Sequence, residues 1–178
     1  MTHLDGAGRA RMVDVSGKPT TLREAVAAGS ITMSAVAYRT LRTGRIAKGD
    51  APALARVAGI AAAKRTAELI PLCHAVPLDH VAVDLRFDDA ARAVKVEATA
   101  RTRWSTGVEM EALVAVTAAL LTLYDMAKAV DRGMTLGPIG LLRKSGGRSG
   151  AFVRGVAPVR GAPLHSPGRR NRRRERGR

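Results

Sequence analysis

The chain has 178 residues, of which 46% are apolar and 3% aromatic, and its formal charge is +15. A single cysteine excludes a disulfide framework, and no apolar run reaches the roughly 20 residues that span a bilayer. The first residues do not form a signal peptide, so we expect one domain in the cytoplasm.

The N-terminal third of the chain predicts short elements. We expect residues 1–11 to be disordered and interpret residues 12–15 as the start of a strand. A second extended segment lies within residues 20–33. Residues 36–42 predict a short helix that ends at Gly44.

A longer helix is predicted next. Asp50 is a good N-cap, and apolar residues recur at helical spacing over residues 52–69, where small side chains favour tight packing. Pro71 ends this helix, and residues 72–77 form a loop. The apolar residues are Leu54, Val57, Ala58, Ala61 and, at the end, Leu69.

Alternation of apolar and polar residues predicts a β-hairpin. Residues 81–87 and 93–99 each place apolar side chains on one face, and Asp88 and Asp89 lie in the turn between them. Such a hairpin has one face in the core and one in solvent.

Residues 108–130 predict a long helix, ended by Gly133, that is apolar at almost every position. A helix that is apolar on all sides is buried, and buried carboxylates need a partner. We therefore expect the acids at its ends to lie at a cleft or a subunit interface. A last extended segment at residues 135–142 completes an α+β pattern, an antiparallel sheet covered by helices on one face.

The candidate functional residues lie at the two ends of the long helix. Asp125 and Lys128 share a helix face, where they form either a stabilising ion pair or a proton shuttle. Glu109 and Glu111 lie in the first turn, which the helix dipole favours for acids. They point in different directions, so one can bind a ligand while the other caps the helix or pairs across an interface.

Two loops add further candidates. Cys73 and His74 supply at most two metal ligands, and no second cluster in the sequence offers the others. This pair is therefore not a metal site. His74 is then either a buried histidine with its hydrogen bonds satisfied or a ligand of a phosphate or a base edge. Residues 144–150 are glycine-rich and basic, so they form either a phosphate cradle or a mobile surface loop.

Charge is unevenly distributed along the chain. Residues 156–178 contain 8 arginines and one glutamate, while the preceding residues contain 22 basic and 14 acidic side chains. This C-terminal tail cannot bury enough apolar surface to fold, so it is either a disordered extension or a contact for nucleic acid. The positive body indicates an anionic ligand.

Seven parts of the chain, within residues 12–150, together resemble the cyclic pyranopterin monophosphate synthases of molybdenum cofactor biosynthesis. The matching stretches are residues 12–16, 48–50, 58–66, 69–74, 106–113, 124–126 with 128–130, and 144–147 with 149–150. Their order and spacing are those of the family. We place the synthase domain at residues 12–153 and the arginine-rich tail at residues 154–178.

The resemblance implies a ferredoxin-like α+β fold, dimers assembled into a hexamer as a trimer of dimers, and a site at a subunit interface. It implies a lyase that converts (8S)-3',8-cyclo-7,8-dihydroguanosine 5'-triphosphate to cyclic pyranopterin monophosphate and releases pyrophosphate. No organic cofactor or dedicated metal site is implied.

The resemblance also implies roles for ten residues. Asp125 and Lys128 match the acid/base pair, and Lys48 and Lys144 match basic residues near the triphosphate. The remaining matches bind substrate: Leu72, Cys73, His74, Glu109, Met110 and Glu111.

Some positions depart from the family pattern. Ala75 replaces a proline, Trp104 and Ser105 replace a glycine and a lysine, and Arg148 replaces a lysine. The tail has no counterpart in the core family.

Two other classes of protein compete with the enzyme. One is a basic nucleic-acid module, but the sequence lacks aromatic stacking platforms. The other is a paralogue without catalysis, and the intact acid/base pair argues against it.

Overall fold

Six strands and four helices follow one another in residues 6–155, the part of the chain that the computed structural model describes. The predictions for residues 1–5 and for the tail at residues 156–178 lie outside the described residues. In chain order the elements are β1 (Thr21–Thr32), α1 (Ala35–Arg42), α2 (Ala51–Ala63), α3 (Thr66–Leu69), β2 (His80–Asp88), β3 (Ala93–Trp104), α4 (Glu109–Ala127), β4 (Thr135–Leu136), β5 (Gly140–Ser145) and β6 (Phe152–Val153).

The strands form one antiparallel sheet in the order β2-β3-β1-β5-β6, and β4 pairs with β1. The predicted α+β class is therefore confirmed. Strands β1, β2, β3 and β5 alternate with helices in the order β-α-β-β-α-β, and their arrangement in the sheet is consistent with a ferredoxin-like fold.

Helices α2 and α4 cover one face of the sheet. The predicted hairpin is confirmed as β2 and β3, in which Val83 lies opposite Ala98 and Leu85 opposite Val96. These apolar residues pack into the core beneath α4, and the intervening polar residues lie on the open face of the sheet. Alternation along each strand thus assigns one face to the core and the other to solvent.

The predicted helix over residues 52–69 is two helices, because α2 ends at Ala63 and α3 begins at Thr66. Asp50 caps α2 as predicted, accepting a hydrogen bond from the Ala53 N–H at 2.9 Å. Small residues face the core, and the larger Leu54 and Val57 are exposed. The buried positions of α2 are Ala51, Ala55, Gly59 and Ala63.

Close packing of α2 on α4 requires a glycine. A Cβ at Gly59 would lie 2.8 Å from the Ala115 carbonyl oxygen of α4, which is too close for any side chain. The close contact with α4 explains why Gly59 stands inside a helix, where glycine is about 1 kcal/mol less favourable than alanine. This contact also anchors α4 against the rest of the fold.

Three other predictions need correction. Residues 12–15 form no strand, because their backbone lies against the loop that contains His74 instead of beside a strand. The extended segment at residues 135–142 is divided at Gly137, whose φ of 125° interrupts the strand between β4 and β5. Lys144, predicted in a loop, lies in β5.

Helix α4 is shorter than predicted, since it ends at Ala127 and Lys128 is its C-cap. It is long and apolar enough to cross a membrane, but half of that stretch is buried inside the protein. Ala112, Ala115, Ala119 and Leu123 contact the core with no exposed surface. The helix is therefore the central core element of this fold, although Leu121 on its other side is exposed.

Candidate active site

A cavity of about 470 Å³ lies at the N-terminal end of α4. The loop before β2 contributes Cys73 and His74, and the first turn of α4 contributes Glu109, Met110 and Glu111. The structure thus brings together substrate-binding candidates from two segments that are distant in the sequence, residues 72–74 and residues 109–111. The full lining is Val13, Val15, Lys18, Ile70, Leu72, Cys73, His74, Thr106, Gly107, Glu109, Met110 and Glu111.

His74 is held by the N-terminal segment. Its Nε2 atom lies 2.8 Å from the carbonyl oxygen of Val13. A carbonyl oxygen only accepts hydrogen bonds, so Nε2 carries the proton and donates. In the neutral ring Nδ1 is then an acceptor. Residues 12–15, predicted as a strand, therefore fix the tautomer of a site histidine.

Glu111 is 2% exposed, although it is a carboxylic acid in an otherwise apolar region. Its Oε1 atom accepts a weak hydrogen bond from Cys73 Sγ at 3.8 Å, and its Oε2 atom has no partner among the described residues. Burial raises the pKa of Glu111 above its usual value, and the nearby Glu109 charge raises it further. Glu111 therefore has a free oxygen for a bound ligand.

Cys73 is a poor nucleophile in this setting. Burial raises the pKa of the Cys73 thiol to about 11, with a contribution from the neighbouring carboxylate of Glu111. Because the reactive form of cysteine is the thiolate, Cys73 contributes packing and a weak hydrogen bond instead of covalent chemistry.

A second cavity, of about 460 Å³, adjoins the first and shares Lys18, Thr106, Gly107 and Glu109 with it. The predicted glycine-rich loop forms one wall, with φ of 93° at Gly146. Positive φ turns backbone N–H groups toward a common side, as in anion-binding loops. Four cationic side chains line this second cavity: Lys18, Arg23, Lys144 and Arg148.

Arg23 is the most buried of these cations, at 9% exposure. Its Nε and Nη2 atoms donate to the carbonyl oxygens of Trp104 and Ser105, each at 3.3 Å. No carboxylate pairs with it among the described residues. A Cβ at Gly147 would overlap the guanidinium, so the glycine loop packs directly on Arg23. A buried cation without a counter-ion favours an anionic ligand.

Lys144 connects the two cavities. Its Nζ atom lies 3.0 Å from Oε1 of Glu109 and donates to the Ser149 hydroxyl at 2.9 Å. Glu109 and Glu111 thus have different partners, as their spacing predicts.

Asp125 lies near the other end of α4 and contacts two lysines. Its Oδ1 atom is 2.6 Å from Lys128 Nζ, and its Oδ2 atom is 2.9 Å from Lys48 Nζ. Hydrogen bonds and charge from Lys128 and then Lys48 lower the pKa of Asp125 to about 2. The Asp125 side chain is 55% exposed, so this cluster lies open on the surface of the chain.

The two groups of candidates are far apart in one chain. Sixteen residues separate Glu109 from Asp125 on α4, and at 1.5 Å per residue this corresponds to about 24 Å. The structure unites Lys48, Asp125 and Lys128 at one end of the helix. At the other end it unites the remaining candidates, which are Leu72, Cys73, His74, Glu109, Met110, Glu111 and Lys144.

Lys18 and Arg23 also line these cavities, although no sequence motif points to them. Arg23 occupies a core-facing position of β1, in register with the buried Thr102. An arginine at such a position is the signal that could have identified it. Within residues 6–155 no three His, Cys, Asp or Glu side chains are close enough to hold a metal ion.

Known proteins are similar to this chain over most of its length. The family model that matches is that of the MoaC family, over residues 12–147. A cyclic pyranopterin monophosphate synthase of Roseiflexus sp. (strain RS-1) is 60% identical over 153 residues, which are 86% of this chain and 97% of the relative. Proteins of the same name from Parvibaculum lavamentivorans and Thermomicrobium roseum are each 57% identical, covering 85% and 86% of this chain and 95% and 93% of the relatives.

The buried Glu111 predicts a pH-dependent effect on stability. Its pKa is higher in the folded than in the unfolded chain, so between the two values the unfolded state binds fewer protons and stability falls as pH rises. We expect Glu111→Gln to gain free energy of unfolding relative to wild type as pH rises from about 4 to 8. The gain should be about 1.4 kcal/mol for each pH unit that separates the folded from the unfolded pKa.

Urea unfolding at a series of pH values measures this difference. The control is Glu97→Gln, which makes the same substitution at an exposed position of β3, outside the cavity that Glu111 lines. A difference between Glu111→Gln and wild type that does not change with pH would contradict the burial effect.

Proposed function

Because the chain belongs to the MoaC family, we propose that it is a cyclic pyranopterin monophosphate synthase, a lyase of molybdenum cofactor biosynthesis. The substrate is the cyclised dihydroguanosine triphosphate, and pyrophosphate leaves. The observation that carries this proposal is the pair of joined cavities, one lined by a buried acid and a histidine and the other by four cations.

The cationic cavity suits the triphosphate. Arg23 and the glycine loop offer fixed donors, while Lys18 and Lys144 add charge. Formation of the cyclic phosphate requires a hydroxyl to attack the α-phosphorus as pyrophosphate departs. Cations at this position would stabilise the negative charge of the leaving group.

The first cavity suits the ring system of the substrate. Glu111 has a buried oxygen without a partner among the described residues, and Nδ1 of the neutral His74 ring is an acceptor with no hydrogen bond within residues 6–155. A guanine-derived ring presents several N–H donors along one edge, which such acceptors bind. Leu72, Cys73 and Met110 complete the lining.

We propose that the acid/base pair comes from another copy of the chain. Asp125 lies about 24 Å along α4 from Glu109, and Lys128 follows it as the C-cap of the helix, so both are far from the two cavities at the other end. An isologous dimer can place the C-terminal end of α4 of one copy over the cavities of the other, and the reverse. The apolar residues exposed on α2 and α4, including Val57 and Leu121, favour such a contact.

In this shared site Lys128 moves protons during ring opening and closure. Asp125 holds it, with Lys48 on the other carboxylate oxygen, and Asp125 stays ionised because its pKa is about 2. Exclusion of water by the partner subunit would strengthen these charge interactions. We propose that dimers assemble further, into a hexamer built as a trimer of dimers, and that the enzyme works in the cytoplasm.

Lys128→Ala and Asp125→Ala should each lower turnover at least about 100-fold, the contribution of a general acid or base. Lys128→Arg should keep the ion pair with Asp125 yet lose turnover, because arginine does not release its proton. Product formation from the cyclised intermediate is the measurement.

Lys64→Ala serves as the control, since Lys64 is exposed at the end of α2 and has no ion pair within the described residues. If Lys128→Arg keeps wild-type turnover, Lys128 acts through its charge alone and the assignment as a proton donor is wrong.

We further propose that the arginine-rich segment at residues 156–178 contacts nucleic acid without sequence specificity. It carries 8 arginines and one glutamate, and each phosphate neutralised by an arginine releases a counter-ion. The aligned part of the relatives covers about 153 residues of this chain, so the segment is an addition to the catalytic domain.

Deletion of residues 156–178 should leave turnover largely unchanged and reduce binding to duplex DNA. The DNA binding of the full chain should depend steeply on salt concentration, and this dependence should be lost in the truncated chain. Product formation and DNA retention over a salt series measure the two effects. Loss of turnover without loss of assembly would instead assign the segment to the active site.

A further inference from the structure

Glu109 is the carboxylate that the two cavities share. It lines both of them, whereas Lys144, whose Nζ atom lies 3.0 Å from Oε1 of Glu109, lines only the cationic cavity. The Glu109 and Lys144 side chains are 30% and 23% exposed, so solvent ions screen this pair less than a pair on the open surface. An ion pair therefore stands at the border between the two cavities.

The surroundings hold Glu109 on Lys144. A Cβ at Gly107 would overlap the Glu109 carboxylate, so the acid packs directly on the backbone at this point. Lys144 is the only cation that pairs with Glu109 within residues 6–155, and a second hydrogen bond orients its Nζ atom, to the Ser149 hydroxyl at 2.9 Å. A ligand of the first cavity would therefore have to compete with Lys144 for this carboxylate.

A polyphosphate in the cationic cavity would change that competition. Its oxygens carry several negative charges, so they attract the Lys144 ammonium group away from Glu109 and repel the Glu109 carboxylate itself. The carboxylate then lacks its counter-ion at the edge of the first cavity. An ionised carboxylate can accept two hydrogen bonds side by side, and a guanine-type ring offers a ring N–H and an amino group on one edge.

We propose that Glu109 is a specificity-determining residue that couples the two cavities, so that the ring of a substrate binds tightly only when a polyphosphate engages Lys144. This coupling rests on the proposed function, in which one substrate fills both cavities. It discriminates against guanine-type rings that carry no phosphate chain, because such rings do not release Glu109 from Lys144. The coupling is reciprocal, since a phosphate that tightens ring binding is itself bound more tightly, by the same factor, when the ring is present.

The two halves of the substrate can be supplied as separate molecules to test this coupling. Guanosine is the ring probe and pyrophosphate is the phosphate probe. Calorimetric titration measures the affinity of the full chain for each probe, alone and in the presence of the other. Pyrophosphate should tighten guanosine binding at least about five-fold, the lower end of typical coupling between sites. Guanosine should tighten pyrophosphate binding by the same factor.

Three variants separate the ion pair from general effects of charge. Glu109→Gln keeps the shape of the side chain and removes its charge, so guanosine binding should no longer depend on pyrophosphate. Lys144→Gln leaves Glu109 without its counter-ion, so without pyrophosphate this variant should bind guanosine at least about five-fold more tightly than wild type. The control is Glu24→Gln, which removes the same charge from an acid of the cationic cavity that pairs with Arg101 and Arg143. Its coupling factor should equal that of wild type.

Equal affinity of wild type for guanosine with and without pyrophosphate, or no measurable guanosine binding in either case, would overturn the proposal. So would a Glu109→Gln variant that retains the coupling, or a Lys144→Gln variant that binds guanosine no more tightly than wild type. Turnover of the cyclised triphosphate by the wild-type chain tests the proposed function separately, because an active enzyme without this coupling would refute only the role of Glu109.

Discussion

Helix α4 packs its alanine and leucine face against β1 and β3, and this contact fixes the position of every acid at its ends. The helix is packed on one side against α2, where a Cβ at Gly59 would lie 2.8 Å from the Ala115 carbonyl oxygen, and on the other side against the sheet. Glu109 and Asp125 are therefore held about 24 Å apart. The proposed division of the site between two copies rests on this separation.

Burial gives the two ends of α4 opposite electrostatic character. At the N-terminal end Glu111 is buried, and desolvation raises its pKa. At the C-terminal end Asp125 is exposed between two lysines that lower its pKa to about 2. One acid is suited to hydrogen bonding with a neutral ring and the other to holding a charged lysine. The same functional group therefore serves two purposes because its surroundings differ.

Periodicity predicted most of the fold, since the hairpin, the caps and the long helix each depend on local pattern. It failed where distant residues decide the structure. Residues 12–15 alternate like a strand but lie against His74, and α2 buries its alanines instead of Leu54 and Val57. Motif resemblance predicted ten site residues. It did not predict Lys18 and Arg23, which line the second cavity because the fold places them beside the glycine-rich loop. The separation of the two groups along α4, by contrast, follows from the sequence, because 16 residues of a predicted helix lie between Glu109 and Asp125.

A shared site is tested most directly by combining two inactive chains. His74→Ala disables the cavity end and Lys128→Ala the acid/base end. Refolded together in equal amounts, half of the dimers contain one chain of each kind, and each of these has one intact site. The account predicts recovery of about a quarter of wild-type turnover from two inactive proteins. Turnover no higher than that of either variant alone, in dimers shown to contain both chains, would contradict it.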